Sequence, residues 1–206
     1  MRKILFATIA ALMVNVVNAQ EIQFGVRGGL NISKESDHVL HVLDYGTIVS
    51  DIHFRQGFNI GGLVNIQTAD RFELEAGVSY SMLGYRDKFY VNEASSDYTF
   101  AKVMSHYLSI PIAEKFYPFR KGLYIELGPQ FGFLLLKKGT LLDEEYIPFG
   151  GVNNKTFDFA VFGGLGYKFA NNIFVNARYI HSFTETSKSY EGGKNRNIQI
   201  SLGYLF

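Results

Sequence analysis

The most persistent pattern in the chain is an alternation of large apolar residues with polar or small ones. In the segment 72–82, Phe72 and Leu74 share one side of an extended chain, and Glu73 and Glu75 lie on the other. A period of two indicates a β-strand, because successive side chains of a strand point to opposite faces. This pattern predicts eight strands, over residues 22–32, 58–66, 72–82, 108–116, 123–133, 157–169, 173–183 and 198–206.

Short and long connections alternate between these strands. Such an arrangement puts tight turns and both chain termini at one end and long loops at the other, as in outer-membrane barrels. We therefore predict an all-β fold, an eight-stranded antiparallel up-and-down transmembrane β-barrel with short periplasmic turns and four long extracellular loops. The predicted turns are 68–70, 118–122 and 170–172, and the predicted loops are 33–53, 86–99, 134–156 and 184–194.

The charged residues of the strands decide between a barrel in lipid and one in water. A Lys or Arg facing lipid at the midplane costs about 2–4 kcal/mol, whereas opposite charges inside a narrow barrel can pair. A soluble lipocalin-like barrel would instead carry its charges outside. Here the charges share the face of Gly and Ser, which indicates a polar interior. We predict a paired charge network in the lumen, formed by Arg27, Glu73, Glu75, Lys115, Glu126, Lys168 and Arg178, with Arg55 and Asp158 on the same face.

Three residues depart from a regular strand pattern. The parity of Glu114 places its carboxylate on the outer face, close to a predicted turn. Pro111 and Pro129 fall inside predicted strands, where a closed ladder has no edge at which a missing N–H is tolerated. We therefore expect β-bulges at the two prolines.

The first residues have the features of a secretory signal peptide. Arg2 and Lys3 precede an apolar run over 4–17, and small residues end at Ala19. We predict a signal peptide at 1–19, cleavage between Ala19 and Gln20, and a barrel domain at 20–206. An uncleaved anchor is the alternative, but about 14 apolar residues are fewer than the ~20 that span a bilayer.

Composition narrows the function classes. The chain contains no Cys, which excludes a disulfide framework and a lipoprotein anchor. Its formal net charge of +1 provides no basic field for a nucleic-acid partner.

The C-terminal strand ends on an aromatic residue. Its outward positions are all large and apolar, and such an ending resembles the recognition signal read by the barrel assembly machinery. We predict a C-terminal assembly signal formed by Ile198, Ile200, Leu202, Tyr204 and Phe206.

The first long loop contains the only spacing that suggests a metal site. His38, His41 and Asp44 could share a helical face, with His53 following, but the loop offers no second shell of supporting residues. We interpret the segment as a solvated loop and predict no metal. The acidic run 143–145 lacks the spaced oxygen donors of a calcium loop and is interpreted in the same way.

Catalytic arrangements are also absent from the pattern. His181 and Ser182 are adjacent in a predicted strand, so their side chains point to opposite faces and the imidazole cannot act as base for the hydroxyl. His106 and Ser105 fail for the same reason. We predict no catalytic residues, no cofactor and no enzymatic activity. The double glycines at 28–29, 61–62 and 163–164 are interpreted as relief of crowding in a small barrel.

Five segments carry a family resemblance: FGVRGGLN (24–31), YLSIPIAEKFYP (107–118), LYIELGPQFGFLL (123–135), FDFAVFGGLGYKF (157–169) and ISLGYLF (200–206). They resemble the PorT-like family of small outer-membrane β-barrel proteins, often labelled generically as the porin family. The resemblance covers essentially the whole chain after the predicted signal peptide. It implies the same barrel fold, with the prolines as family features, and PorT itself is implicated in type IX secretion.

We expect a monomer, integral in the outer membrane of a Gram-negative cell, with a plugged polar lumen. Eight strands leave an interior about wide enough for side chains to fill, so bulk diffusion is not expected. The expected role is structural or interactive, through the extracellular loops. The alternatives are an accessory role in type IX secretion, a narrow small-solute pore and, last, a lipid A-modifying enzyme. Expected partners are outer-membrane lipid and lipopolysaccharide, the barrel assembly machinery, and a secretion-complex or surface protein, with no nucleic acid.

Overall fold

The computed structural model describes residues 21–36, 39–42, 46–49, 51–90, 98–119, 122–141, 144–148, 154–186 and 193–206. Within these residues every regular element is a β-strand. The described part of the chain contains no helix that is long and apolar enough to cross a membrane. The strands are β1 (Glu21–Glu35), β2 (Val39–Val42), β3 (Gly46–Val49), β4 (Asp51–Ala69), β5 (Phe72–Tyr90), β6 (Tyr98–Phe116), β7 (Leu123–Leu141), β8 (Glu144–Pro148), β9 (Phe157–Lys168), β10 (Ile173–Glu185) and β11 (Lys194–Leu205).

Eight of these strands close into a barrel. Going around the wall, the order is β6, β5, β4, β1, β11, β10, β9 and β7, and pairing of β7 with β6 closes the ring. Every pairing is antiparallel. Strands β2 and β3 form a separate hairpin, and β8 pairs with β7. The predicted eight-stranded antiparallel barrel is confirmed, and closure leaves no unpaired edge in the wall.

Tight turns gather at one end of the barrel, which we call the turn end; the opposite end is the loop end. Ala69 pairs with Phe72 across the turn between β4 and β5. Gly122, just before β7, has a φ of 82°, and Asn172, just before β10, has a φ of 63°. Glycine and asparagine adopt this left-handed conformation more readily than other residues, so both are suited to tight turns. Both termini of the barrel lie at this end, where the Phe206 N–H donates to the Phe24 carbonyl.

The strands are longer than the pattern predicts at the loop end. β4 begins at Asp51 and β5 continues to Tyr90, although 33–53 and 86–99 were predicted as loops. β7 continues to Leu141, inside the predicted loop 134–156. Backbone pairing needs no apolar side chains, so the ladder continues where the alternation of hydrophobicity has ended.

The prediction of bulges at the two prolines is wrong. β6 pairs with β7 in the same register at Pro111 and, beyond the gap, at Glu114, while Pro129 keeps its register with Val161 of β9. The ladder omits a few pairs near the missing N–H groups without adding a residue. The register shifts elsewhere. Toward the loop end it shifts between Phe54 and Asn59 and between His106 and Tyr107, and at the turn end it shifts between Gln67 and Ala69.

The wall is apolar outside and largely polar inside. In β11, buried and exposed residues alternate strictly from Asn197 to Leu205. Leu30, Leu127 and Phe183 are among many large apolar residues exposed on the outer face. The buried polar residues, which include seven charged side chains and several Asn and Ser, fill the interior. This distribution is the reverse of that in a water-soluble barrel.

Candidate functional site

Five charged residues meet at the centre of the barrel, and we call them the central ion-pair cluster: Arg27 of β1, Glu75 of β5, Lys115 of β6, Glu126 of β7 and Arg178 of β10. The carboxylate of Glu75 accepts from Arg27 Nη2, and its oxygens lie 2.7 Å from Lys115 Nζ and 2.8 Å from Arg178 Nη2. Three cations from three different strands therefore converge on one carboxylate.

Glu126 provides the second carboxylate of the cluster. Arg178 binds it with two donors, Nε to Oε1 at 2.8 Å and Nη2 to Oε2 at 2.7 Å. Asn176 donates to the same Oε1 at 2.8 Å. Two parallel bonds from one guanidinium fix the relative orientation of both groups, so Arg178 links the two carboxylates rigidly.

The cluster is sealed from water. Its five side chains are at most 4% exposed. Arg178 Cζ lies 4.6 Å from the centre of the Phe162 ring, and Lys115 Nζ lies 5.0 Å from that of Tyr124. With three cations and two carboxylates, the aromatic faces supply further negative potential for the excess positive charge.

Apolar layers lie on both sides of the central cluster. Leu63, Phe174 and Leu205 form a buried group toward the turn end. Toward the loop end a second group is formed by Ala113, Ala160, Phe162 and Ile180. The lumen is therefore closed by side chains through its middle.

Inward glycines make room for the side chains of the lumen. A Cβ on Gly164 would lie 3.1 Å from Glu126 Oε1 and 2.5 Å from the Ala177 carbonyl oxygen. One on Gly61 would lie 2.6 Å from Ser79 Cβ, and one on Gly29 would overlap the Ile200 carbonyl. The inward residue of each double glycine thus occupies a place with no space for a side chain.

The remaining two residues of the predicted lumen network lie near the turn end. Lys168 Nζ is 3.3 Å from Glu73 Oε1 and donates to Gln23 at 2.9 Å. Tyr117, just beyond β6, donates to Glu73 at 2.7 Å. Burial, together with the Glu73 carboxylate, raises the pKa of the Tyr117 hydroxyl. Glu73, Tyr117 and Lys168 border a cavity of about 370 Å³ that opens at the turn end.

A second buried ion pair lies toward the loop end, where the sequence predicted only loop. Lys137 Nζ donates to Glu35 Oε1 at 2.9 Å, and both side chains are buried. Asp158, predicted to face inward, accepts from Ser182 at 2.8 Å and from Asn195 at 3.3 Å. The signal for Lys137 was weak, because Leu134, Leu135 and Leu136 hide the change of parity at a bulge.

The comparison with protein families identifies the family to which the chain belongs. A family model described as the outer membrane protein beta-barrel domain matches residues 18–188. The chain belongs to this family. Outer-membrane barrels are also found among solved structures with a similar fold.

The outer-membrane barrel resembles Neisserial surface protein A with a TM-score of 0.51 and 16% identity, over 91% of this chain and 100% of that one. Ail of Yersinia pestis gives 0.48 and 16%, over 91% and 100%. OprG of Pseudomonas aeruginosa gives 0.47 and 13%, over 89% and 95%. At these identities the likeness concerns the fold alone. No curated protein matches the sequence.

The two His and Ser pairs of the outer-membrane barrel are separated as strand geometry requires. Ser182 is buried and bonded to Asp158, whereas His181 packs 5.3 Å from Phe183 on the outer side. Ser105 is buried, and His106 Nδ1 lies 2.5 Å from the hydroxyl of Tyr80 on the outer face. Neither imidazole is placed to activate its neighbouring hydroxyl.

The metal candidates of the first loop are only partly placed. His38 and Asp44 lie outside the described residues, His41 falls in β2 and His53 in β4. Among the residues that are described, no group of three or more His, Cys, Asp or Glu could hold a metal ion. Of the acidic run, Asp143 lies outside the described residues and the other two residues begin β8.

The termini of the outer-membrane barrel differ in what the structure describes. Ala19 and Gln20 lie outside the described residues, so signal cleavage stays a prediction. At the other end the five residues of the proposed assembly signal are exposed on the outer face. They are Ile198, Ile200, Leu202, Tyr204 and Phe206. Glu114 is also exposed, between Leu74 and Leu127 on the neighbouring strands, with no register shift beside it.

Proposed function

We propose that this outer-membrane barrel is an integral protein with a plugged lumen that acts as a structural or interaction protein through its extracellular loops. The observation that carries the proposal is the central ion-pair cluster, closed between two apolar layers. Breaking such a buried pair costs about 3–5 kcal/mol, so a state with the pair broken is populated less than about 1% of the time.

Conductance in planar bilayers tests the plug. The refolded wild-type barrel is expected to give no steady single-channel current. Glu75→Ala/Arg178→Ala removes two members of the plug and is expected to raise leakage, whereas Glu114→Gln on the outer face leaves it unchanged. Steady wild-type current that is abolished by Glu126→Gln would instead favour the narrow-pore alternative.

The proposed orientation puts the loop end outside the cell. The chain has no Cys, so single introduced cysteines can be labelled without background. Lys155→Cys, near the start of β9, is expected to react with a membrane-impermeant maleimide in intact cells. Asp70→Cys, in the turn between β4 and β5, is expected to react only after permeabilisation. The opposite result would place the loops in the periplasm and remove their proposed role.

The proposed interaction role is non-enzymatic and predicts a protein or surface component in contact with the loops. Photocrosslinkers introduced at Lys155, followed by identification of crosslinked partners, test this in intact cells. The same crosslinker at Asp70 is the control for contacts at the turn end. Loss of a lipid A modification in a deletion strain would contradict the non-enzymatic proposal.

A role as an accessory component of type IX secretion is the second candidate. The five segments that resemble the PorT-like family support it. A deletion strain is then expected to retain type IX cargo inside the cell, and complementation is expected to restore secretion. Normal secretion in the deletion strain would remove this candidate and leave the general interaction role.

A further inference from the structure

The cavity at the turn end, which we call the turn-end cavity, is not needed to close the lumen. Its volume of about 370 Å³ falls within the range of about 300–1,000 Å³ that is usual for small-ligand sites. Its walls come from β1, β4, β5 and β9 and from the turns beside them. The central ion-pair cluster and the apolar group of Leu63, Phe174 and Leu205 already form the plug. The polar groups that border the cavity therefore have no part in closing the barrel.

The carboxylate of Glu73 is held in a fixed orientation at this cavity. Asn65 and Tyr117 donate to its Oε2, Tyr117 at 2.7 Å, and both residues are buried. Its other oxygen, Oε1, lies 3.3 Å from Lys168 Nζ, and the side chain is 13% exposed. A carboxylate oxygen has about two acceptor sites. Since Lys168 is its only partner among the described residues, Oε1 can accept a bond from a ligand.

The ammonium of Lys168 has a donor to spare at the same place. It donates to Gln23 at 2.9 Å and lies beside Glu73, so two of its three N–H groups are used. The side chain is 20% exposed and borders the cavity. One donor and one acceptor side by side match a peptide group, in which the N–H donates and the C=O accepts.

The rim of the turn-end cavity carries negative charge. Glu21 is exposed there, and its carboxylate accepts a bond from Gln23 at 2.9 Å. Because Gln23 also accepts from Lys168, this chain of bonds ties the rim carboxylate to the Glu73 site. Asp70 also borders the cavity, but it already has a partner and is left out of the count. Among the other described residues of the lining, two carboxylates face one ammonium, which favours a cationic ligand.

We infer that the turn-end cavity binds a short basic peptide segment. A peptide group of the segment bonds to Glu73 Oε1 and Lys168 Nζ, and an Arg or Lys side chain next to it pairs with Glu21. Such charge-assisted hydrogen bonds are roughly twice as strong as neutral ones. The side-chain amides of Gln67 and Asn172 offer further partners for the peptide backbone. This site lies at the end opposite the loops, so it adds a second binding surface to the proposed function.

Titration of the refolded full-length barrel with acetyl-Gly-Arg-Gly-amide in zwitterionic detergent tests the inference. Binding is followed by NMR through the backbone amide signals of Gly122 and Asn172, which border the cavity. The citrulline counterpart of the peptide has the same shape but no charge. We expect the arginine peptide to bind about tenfold more tightly, as a hydrogen bond to a charged group requires. Glu21→Gln is expected to remove most of this difference and to leave the citrulline peptide unaffected.

Two further variants show where the peptide binds. Glu114→Gln is the matched control, because it removes an exposed carboxylate on the outer face near the same end, and it is expected to leave the tenfold difference unchanged. Ala170→Trp places a large ring at an exposed position of the cavity lining and is expected to abolish binding of both peptides. Heat-modifiable migration in gels checks that each variant is folded.

Four results would overturn the inference. These are equal binding of the two peptides by wild type, an unchanged preference in Glu21→Gln, an equal loss of preference in Glu114→Gln, and full binding by Ala170→Trp. A folded barrel that binds neither peptide would contradict this site alone. Loops found in the periplasm by cysteine labelling would contradict the proposed function and leave the peptide site as it is.

Discussion

Replacement of Glu75 by glutamine is expected to destabilise the barrel more than any other change of one charge in the lumen. The substitution keeps the shape of the side chain but removes a partner of Arg27, Lys115 and Arg178. Three buried cations then share one carboxylate, that of Glu126. Removal of one partner from a buried ion pair costs about 3–5 kcal/mol, and we expect a loss of this size in the free energy of unfolding.

The chain contains no Trp, so unfolding is best followed by far-UV circular dichroism and by heat-modifiable migration during a urea titration in lipid vesicles. Glu21→Gln is the matched control, because Glu21 is exposed at the start of β1, where its carboxylate accepts a hydrogen bond from Gln23. A change of about 0–1 kcal/mol is expected there.

A double variant tests whether charge balance causes the loss. Glu75→Gln/Lys115→Met leaves two cations for one carboxylate and is expected to recover part of the stability that Glu75→Gln loses. A Glu75→Gln loss no larger than that of Glu21→Gln would refute the reasoning. So would a double variant whose losses simply add, since residues in one network are expected to couple.

Three further substitutions test other parts of the structure. Gly29→Ala is expected to lower the free energy of unfolding by at least about 2 kcal/mol in a urea titration, because the new Cβ would overlap the Ile200 carbonyl. Gly28→Ala is expected to be tolerated, because its Cβ would make only one contact, at 3.7 Å. Equal effects of the two substitutions would contradict the packing argument. Leu30→Arg on the outer face is expected to lower stability in vesicles by about 2–4 kcal/mol, and a neutral result would mean that this face does not contact acyl chains. Phe206→Asn is expected to reduce the heat-modifiable protein in outer-membrane fractions without loss of total synthesis, and unchanged assembly would remove the proposed signal.

Parity along the strands was sufficient to predict the barrel and the direction of most side chains. The alternation around Ile200 and Leu202 follows from the repeat of two residues, and the structure exposes both. This works because a slip of one residue would turn a whole strand inside out. For the same reason Arg27 and Glu75 could be assigned to the lumen before their partners were known.

Strand ends and bulges could not be predicted in this way. Lys137 lies in β7 beyond a register shift, and its bond to Glu35 joins strands that are not neighbours. A bulge adds one residue to a strand and so changes which face the following side chains occupy. The pattern of apolar and polar residues does not reveal this change within the uniformly apolar run from Leu134 to Leu136. At Pro111 and Pro129 the sequence predicted bulges that the structure does not contain. The strand ladder tolerates the missing hydrogen bonds there without a change of register.

The strands are unequal in length, which gives the barrel a stepped rim. β4, β5, β6 and β7 each have 19 residues, whereas β9 and β11 have 12. All of them are level at the turn end, so the difference appears at the opposite rim. At about 3.4 Å per residue and a tilt of about 45°, one side rises roughly 17 Å above the other. If the loop end faces outward as proposed, the taller part of the described wall, formed by β4 to β7, offers a molecule from outside the cell more surface than the lower part formed by β9 and β11.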